Sequence, residues 1–334
     1  MAIRDIDELV QPYKDRLVLL VAHFSDLHVK APGGSYRNRG PERWLQRHEE
    51  PFREALSELA NLERAPDFLA LTGDLTETGS EAEFSILSDC LSTTGIPIRV
   101  VPGNHDRLPD GVDPEGQGTD SDPDSVGDLN TAFRRWYQDW TPATAPPHPE
   151  TAEFHFSEIL TGWDVVGIDT SHNRRMSASH RAWIDETLGC DTGRPRLVLG
   201  HSPLLAVGNW MDVMCFHDST FMTAFIGYPR IRAVLSGHVH INRTWRYRGA
   251  IHVVTTSLSY GIGDGVGYSL IGLGEEDVLF VCRRYLAGES RDLYGVDRSV
   301  RDAMTRLDTP RLYESSPLCH PRIWPWTADP DKRS

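Results

Sequence analysis

The chain has few cysteines, no long apolar run and no excess of basic residues. Its five cysteines are scattered over 334 residues and form no Cys-x-x-Cys pair, which argues against a disulfide framework and against a thiolate zinc site. No apolar run approaches the ~18 residues of a membrane span, so we expect none. Acidic residues outnumber basic residues by 48 to 34, and a net charge of −14 argues against a nucleic-acid partner.

The overall composition is that of an ordinary globular protein. Hydrophobic residues make up 39% of the chain and charged residues 25%, and the length suffices for one large α/β domain or two small ones. The first ten residues contain three acidic side chains and no apolar stretch, so we expect no secretory signal. Scattered thiols fit a reducing compartment, and the sequence therefore predicts a cytoplasmic protein.

The first half of the chain alternates between strand-like and helix-like segments. Apolar runs predict buried strands over residues 17–24, 68–72 and 98–101. Helical spacing of apolar residues predicts helices over residues 49–64 and 80–91, the second with a capping box formed by Ser80 and Glu83. This rhythm indicates a parallel sheet with right-handed crossovers.

The second half is richer in predicted strands. A hairpin is predicted over residues 154–159 and 163–169, a helix over 179–188, and buried strands over 196–199 and 231–235. Four later runs are predicted to be antiparallel and to form much of a second sheet: 243–248, 251–256, 267–273 and 278–283. Residues 108–128 read as a long acidic surface loop. We expect one domain over residues 1–283, with an irregular extension, 284–334, packed on it.

Five polar blocks directly follow five of the predicted strands. They are Ser25-Asp26-Leu27-His28, Gly73-Asp74-Leu75-Thr76, Gly103-Asn104-His105-Asp106, Gly200-His201-Ser202-Pro203 and Gly237-His238-Val239-His240. The strands of one open α/β sheet usually run parallel, and their carboxyl ends open onto one crevice, so we expect the blocks to converge. A single Asp-x-His or His-x-His pair occurs by chance, whereas five such blocks at strand ends predict a metal site.

Taken in order, the blocks resemble the calcineurin-like metallophosphoesterase superfamily, whose pattern is D-x-H, G-D, G-N-H-[DE], G-H and G-H-x-H. The resemblance covers roughly residues 17–256 and is closest to the branch of class III cyclic-nucleotide phosphodiesterases. It implies an α/β fold with mixed sheets, a four-layer αββα sandwich in which helices flank two packed β-sheets. It also implies a two-metal site at one sheet edge.

The resemblance also implies a ligand set. Asp26, His28 and His240 would hold the first metal, Asn104, His201 and His238 the second, and Asp74 would bridge both. Carboxylate, amide and imidazole ligands suit divalent Mn, Fe, Co, Ni or Zn, and we favour Mn or Fe. Two divalent ions leave such a site positive, so it would attract a small phosphorylated substrate although the whole chain is acidic.

Block three and its surroundings carry the expected substrate chemistry. The resemblance gives His105 the role of protonating the leaving oxygen, or of stabilising charge on it. Asp106 would orient that imidazole, or it could be a turn residue. Arg107 would contact a phosphate oxygen, or lie on the surface. Asn104 and His172 are further candidates for substrate contact, whereas His23, inside the first predicted strand, is expected to be structural.

The implied function is phosphodiester hydrolysis by a dinuclear centre, with in-line attack of a metal-bridging hydroxide and assistance from His105. A phosphomonoesterase acting on a specialised metabolite would use the same ligands. A non-catalytic metal-binding scaffold and a nuclease are further alternatives, and the acidic composition argues against the nuclease. The sequence leaves open whether the protein forms a homo-oligomer.

Overall fold

The computed structural model describes residues 6–32, 49–107, 131–140, 154–171, 176–204, 225, 227–259 and 266–286. The helices are α1 (Ile6–Val10), α2 (Glu49–Ala60), α3 (Glu81–Leu91), α4 (Thr131–Trp140) and α5 (Ala178–Gly189). The strands of the first sheet are β1 (Leu19–Phe24), β2 (Phe68–Thr72), β3 (Ile98–Val101), β10 (Gly267–Leu273) and β11 (Val278–Tyr285). Those of the second are β4 (His155–Leu160), β5 (Trp163–Ile168), β6 (Arg196–Leu199), β7 (Ile231–Ser236), β8 (Arg243–Tyr247) and β9 (Ala250–Val254).

Both sheets are mixed. The first has the strand order β11-β10-β1-β2-β3, in which β1, β2 and β3 are parallel and β10 and β11 run antiparallel to their neighbours. The second has the order β4-β5-β6-β7-β9-β8, with a parallel centre and an antiparallel pair at each edge. The predicted hairpin is confirmed, since β4 and β5 pair antiparallel around Thr161 and Gly162.

The prediction that the four late strands together form much of a second sheet is wrong for two of them. β8 and β9 do join the second sheet, but β10 and β11 return to the first, where β10 pairs with β1. The reason lies in β1, whose six residues are all buried and which has β2 on one side. Its other edge also needs hydrogen-bond partners, and β10 supplies them.

The two sheets pack face to face with helices outside, which confirms the four-layer arrangement. Along β6 the side chains alternate: Leu197 and Leu199 belong to the core shared with the first sheet, whereas Val198 packs with Ile184 and Leu188 of α5. On the far side, Phe52 of α2 meets Phe24 of β1 edge to face at 5.4 Å. The core therefore lies between and on both sides of the sheets.

The predicted helices are present, although the one predicted over residues 49–64 ends at Ala60. Ser80 caps α3: its Oγ accepts from the Glu83 amide while the Glu83 carboxylate accepts from the Ser80 amide, so the predicted capping box is confirmed. Helix α4 buries Phe133, Trp136 and Tyr137. Among the described helices, none is long and apolar enough to cross a bilayer.

Several sequence expectations fall on other parts of the chain. The acidic loop 108–128, His172 and residues 287–334 lie outside the described residues. The predicted domain boundary at residue 283 falls inside β11, which ends at Tyr285.

Candidate metal centre

The predicted ligands do converge, but from two sheets rather than from one. Four follow strands of the first sheet, namely Asp26 and His28 after β1, Asp74 after β2 and Asn104 after β3. Three follow strands of the second sheet, namely His201 after β6, and His238 and His240 after β7. The expectation of a crevice in one open sheet is therefore corrected: the site lies where the carboxyl ends of parallel strands from two packed sheets meet.

The backbone at the ligands is unusual. Of the eight non-glycine residues with positive φ in the described chain, five are candidate ligands: Asp26 (54°), His28 (46°), Asp74 (49°), His238 (66°) and His240 (50°). Such left-handed conformations cost energy and persist only where the surroundings impose them. Main-chain bonds between the blocks impose them here, with the Asp26 amide donating to Gly73 O and the His28 amide to Asp74 O, both at 2.9 Å.

Glycines allow the blocks to approach one another this closely. A Cβ atom on Gly103 would clash with the main chain and carboxylate of Asp74. A Cβ atom on Gly237 would clash with Ser25 and with the carboxylate of Asp26. The glycine that precedes the ligand in these two blocks is therefore required by packing between loops.

The first group of ligand atoms surrounds one point. The Nε2 atoms of His28 and His240 lie 3.2 Å apart, and His240 Nε2 lies 3.2 Å from Asp26 Oδ1. Asp74 Oδ2 lies 3.8 Å from His28 Nε2. All four side chains are buried, so their donor atoms face one another instead of water.

The second group surrounds a neighbouring point. His201 Nε2 lies 3.0 Å from His238 Nδ1, 3.1 Å from Asn104 Oδ1 and 3.4 Å from Asp74 Oδ1. Asp74 thus directs one carboxylate oxygen toward each group. That arrangement fits the bridging position which the resemblance implied for it.

The donor atoms are arranged to bind metal ions and not to hydrogen-bond with one another. Two ring nitrogens at 3.0 to 3.2 Å need a proton or a cation between them. The other nitrogen of His201, Nδ1, lies 2.8 Å from Thr72 O, which can only accept, so a neutral ring keeps its Nε2 lone pair for a metal. Carboxylate, amide and imidazole donors together suit divalent transition metals.

Electrostatics in the pocket favours positive charge. Burial would raise the pKa of Asp26, but His240 and His201 hold it at about 2. Burial opposes the ionisation of Asp74 too, yet His201 and His105 keep the pKa of Asp74 well below its ordinary value. Both carboxylates are therefore ionised at neutral pH.

The histidines respond to these carboxylates in different ways. Burial lowers the pKa of His28 and His201, but Glu77 beside the first and Asp74 beside the second raise each to about 9. The pKa of His238 is lowered to about 3, because burial and the nearby His201 both oppose its charge. The carboxylates thus stabilise cationic charge among the rings, which is what bound metal ions would supply.

His105 lies at the rim of the centre. Its amide donates to Asp74 Oδ1 at 2.9 Å, and its ring Nδ1 lies 2.8 Å from Glu77 O. Its side chain is 13% exposed, more than those of His28, Asp74, His201 and His240 in the centre. Arg107 ends the same short turn, and its side chain, like His172, lies outside the described residues.

Asp106 does not orient the His105 ring. Its fully buried carboxylate accepts hydrogen bonds from the amides of Gly103, Leu75 and Thr76, and from the Thr76 hydroxyl, at 2.9 to 3.2 Å. Asp106 is therefore a turn residue, the second of the two roles considered for it, and its hydrogen bonds join block two to block three. Consecutive residues of a tight turn point in different directions, so sequence adjacency to His105 misled the prediction.

Glu77 was not among the predicted site residues. Its carboxylate lies 2.9 Å from His28 Nδ1 and 4.0 Å from His105 Nδ1, and only 1% of the residue is exposed. The available signal was its position in Gly-Asp-Leu-Thr-Glu, three residues after Asp74. His23, by contrast, is structural as expected, because it is buried within β1 with Nε2 2.9 Å from Thr72 Oγ1.

The chain matches a known protein family. The family model for calcineurin-like phosphoesterases matches residues 19–242, a stretch that contains all seven candidate ligands. The chain therefore belongs to the calcineurin-like phosphoesterase family, a family of metal-dependent hydrolases.

The individual relatives are distant from this chain in sequence. A probable cyclic nucleotide phosphodiesterase of Synechococcus sp. is 27% identical over 232 residues, covering 68% of this chain and 75% of that protein. A probable glycerophosphodiester phosphodiesterase of Arcobacter nitrofigilis is 22% identical over 253 residues, covering 73% and 80%. The crystal structure of a dimetal phosphatase from Danio rerio has a TM-score of 0.56 at 11% identity, covers 80% and 95% of the two chains, and is similar in fold.

Proposed function

We propose that this protein is a dinuclear metal-dependent phosphodiesterase. The observation that carries the proposal is the convergence of seven buried or half-buried donor side chains from two sheets, with His105 beside them. The names of the Synechococcus and Arcobacter relatives favour a diester over a monoester substrate. The substrate class is therefore a small phosphodiester.

Each donor has a proposed role. Asp26, His28 and His240 would hold one ion, Asn104, His201 and His238 the other, and Asp74 both. The ions, for which we propose Mn or Fe, would act as Lewis acids and lower the pKa of the attacking water towards ~7. Two divalent ions outweigh the three nearby carboxylates of Asp26, Asp74 and Glu77, so the loaded pocket attracts a phosphate anion.

His105 is the proposed acid for the leaving group. Because Glu77 O faces Nδ1, that nitrogen carries a proton, and the other nitrogen, Nε2, is left to meet the substrate. In the cationic ring Nε2–H donates to the leaving oxygen, which departs as an alcohol, and the ring regains its proton from solvent. Asn104, Arg107 and His172 stay proposed contacts of the phosphate group.

The direct test is a substrate and metal panel. Protein stripped with chelator is reconstituted with Mn, Fe, Co, Ni or Zn and offered bis-p-nitrophenyl phosphate, p-nitrophenyl phosphate and cyclic AMP. We expect at least one metal to support faster hydrolysis of the diesters than of the monoester. Protein carrying Asp74→Asn, prepared in the same way, controls for contaminating phosphatases.

Other outcomes identify the alternatives. Faster hydrolysis of p-nitrophenyl phosphate would mean a phosphomonoesterase, which the same ligand set could serve. Cleavage of plasmid or single-stranded DNA would mean a nuclease. Metal binding without hydrolysis of any substrate would mean a scaffold, and would sink the proposed enzyme.

We further propose that the protein acts in the cytoplasm and that its catalytic domain comprises residues 1–283 together with the end of β11. Among the described residues, the thiols of Cys90 and Cys190 form no disulfide, which suits a reducing compartment. Cell fractionation with an antibody against the protein tests the location, and recovery in an oxidising compartment would contradict it.

A further inference from the structure

Glu77 is held at three points by two segments of the centre. Its amide donates to Val29 O at 3.0 Å, in the segment that carries His28. Its carbonyl faces the His105 ring, and its carboxylate faces the His28 ring. An isolated bridge between Val29 and Thr76 extends the β1–β2 pairing up to this residue. The main chain at Glu77 is therefore anchored by an extension of the β1–β2 pairing.

The carboxylate of Glu77 determines how His28 presents its nitrogens. The His28 ring lies between Glu77, 2.9 Å from Nδ1, and the cluster of His240 and Asp74 around Nε2. A carboxylate beside Nδ1 holds the proton there, which leaves the Nε2 lone pair for a metal. Without it the ring could carry its proton on Nε2 and turn an acceptor into a donor.

The carbonyl of Glu77 has the same effect on His105. It accepts from Nδ1 at 2.8 Å, so Nε2 is the nitrogen left for the substrate side. The His28 and His105 rings also meet edge to face at 4.7 Å and 87°. A shift of Glu77 would therefore move a metal ligand and the leaving-group acid together.

We propose that Glu77 is the positioning residue that couples the first metal to the leaving-group acid, its carboxylate fixing His28 and its main chain fixing His105. The inference rests on the proposed metal centre and assigns Glu77 no contact with substrate. It predicts that a change in the side chain alone weakens one of the two metal sites and leaves the other intact, because the second ion is bound by Asn104, His201 and His238.

Glu77→Gln tests the proposal, and Glu83→Gln is the matched control. Glu83 is also a buried carboxyl, six residues further along, but it accepts from Thr78 and Ser80 and touches none of the histidines in the described structure. Mn²⁺ affinity is measured by competition with a chromophoric chelator, and the Co²⁺-loaded proteins are compared by visible absorption. Neither measurement depends on activity.

We expect Glu77→Gln to lose about 10- to 100-fold in affinity at one site, with an altered Co²⁺ spectrum, while Glu83→Gln keeps both. Equal affinities in wild type and Glu77→Gln, or an equal loss in Glu83→Gln, would overturn the inference. If Glu77→Gln does not fold, Glu77→Asp against Glu83→Asp gives the same comparison. Failure of the wild type itself to bind two ions would instead refute the proposed metal centre.

Discussion

The two sheets contribute differently to the centre. The first supplies both ligand carboxylates, the amide, and the supporting carboxylates of Glu77 and Asp106. The second supplies imidazoles alone, from His201, His238 and His240. All the negative charge among the candidate ligands therefore comes from one sheet, and the other would complete the coordination with neutral ligands. Removing a ligand from the first sheet should accordingly do more damage.

The largest effect is expected for Asp74→Asn, because Asp74 faces both groups of donors. We expect loss of both ions and a fall in kcat/KM of about 10⁴-fold, since several kcal/mol of charge stabilisation disappear. His201→Gln, in the second sheet, should lose one ion only. Metal analysis of the dialysed proteins measures the difference.

Asp164→Asn is the control for removing a buried carboxylate. Asp164 pairs with Arg194 at 2.6 Å in the second sheet and contacts none of the predicted ligands in the described structure. The Asp164→Asn protein should keep two ions per chain. Equal metal loss in Asp74→Asn and His201→Gln would remove the distinction between the sheets.

A smaller and more selective effect is expected for His105→Ala. The rate should fall about 10²- to 10³-fold for alkyl leaving groups, which need a proton, and much less for p-nitrophenyl leaving groups, which do not. Metal content should not change. A uniform fall for both kinds of substrate would contradict a role in leaving-group chemistry.

Asp106→Asn tests whether Asp106 stabilises the fold or orients the His105 imidazole. An amide cannot accept from all the donors that surround Asp106, so we expect a loss of about 3 kcal/mol in the free energy of unfolding, measured in chelator. The ratio of alkyl to p-nitrophenyl rates should stay as in the wild type. A change in that ratio matching His105→Ala would restore Asp106 as the partner of the imidazole.

The smallest effect lies away from the centre, in β9. Burial lowers the pKa of His252 to about 3 from 6.5, and its ring stacks on Trp245. Between those pH values the unfolded chain binds a proton that the folded chain does not, so stability falls as the pH drops below 6.5. Relative to His252→Gln, the wild type should lose up to about 1.4 kcal/mol per pH unit. The free energies of unfolding of both proteins are measured in chelator from pH 7 to pH 5. The same dependence on pH in the wild type and in His252→Gln would contradict this.

The sequence predicted much of this molecule because its signals are local. Apolar runs marked β2 and β3 at their observed bounds, and the strand-end blocks marked the side chains that cluster as candidate ligands. Sheet membership was not local: nothing within residues 267–285 indicates that β10 pairs with β1, more than 240 residues earlier. The partners of Glu77 and Asp106 depend on how three loops cross, which spacing along the chain does not encode.

The central claim is that seven side chains from two sheets hold two divalent ions. Anomalous diffraction from crystals of the Mn²⁺-loaded protein tests it most directly. The account predicts two peaks, one among Asp26, His28 and His240 and one among Asn104, His201 and His238, with Asp74 contacting both. A single peak, or peaks bound by other residues, would contradict it.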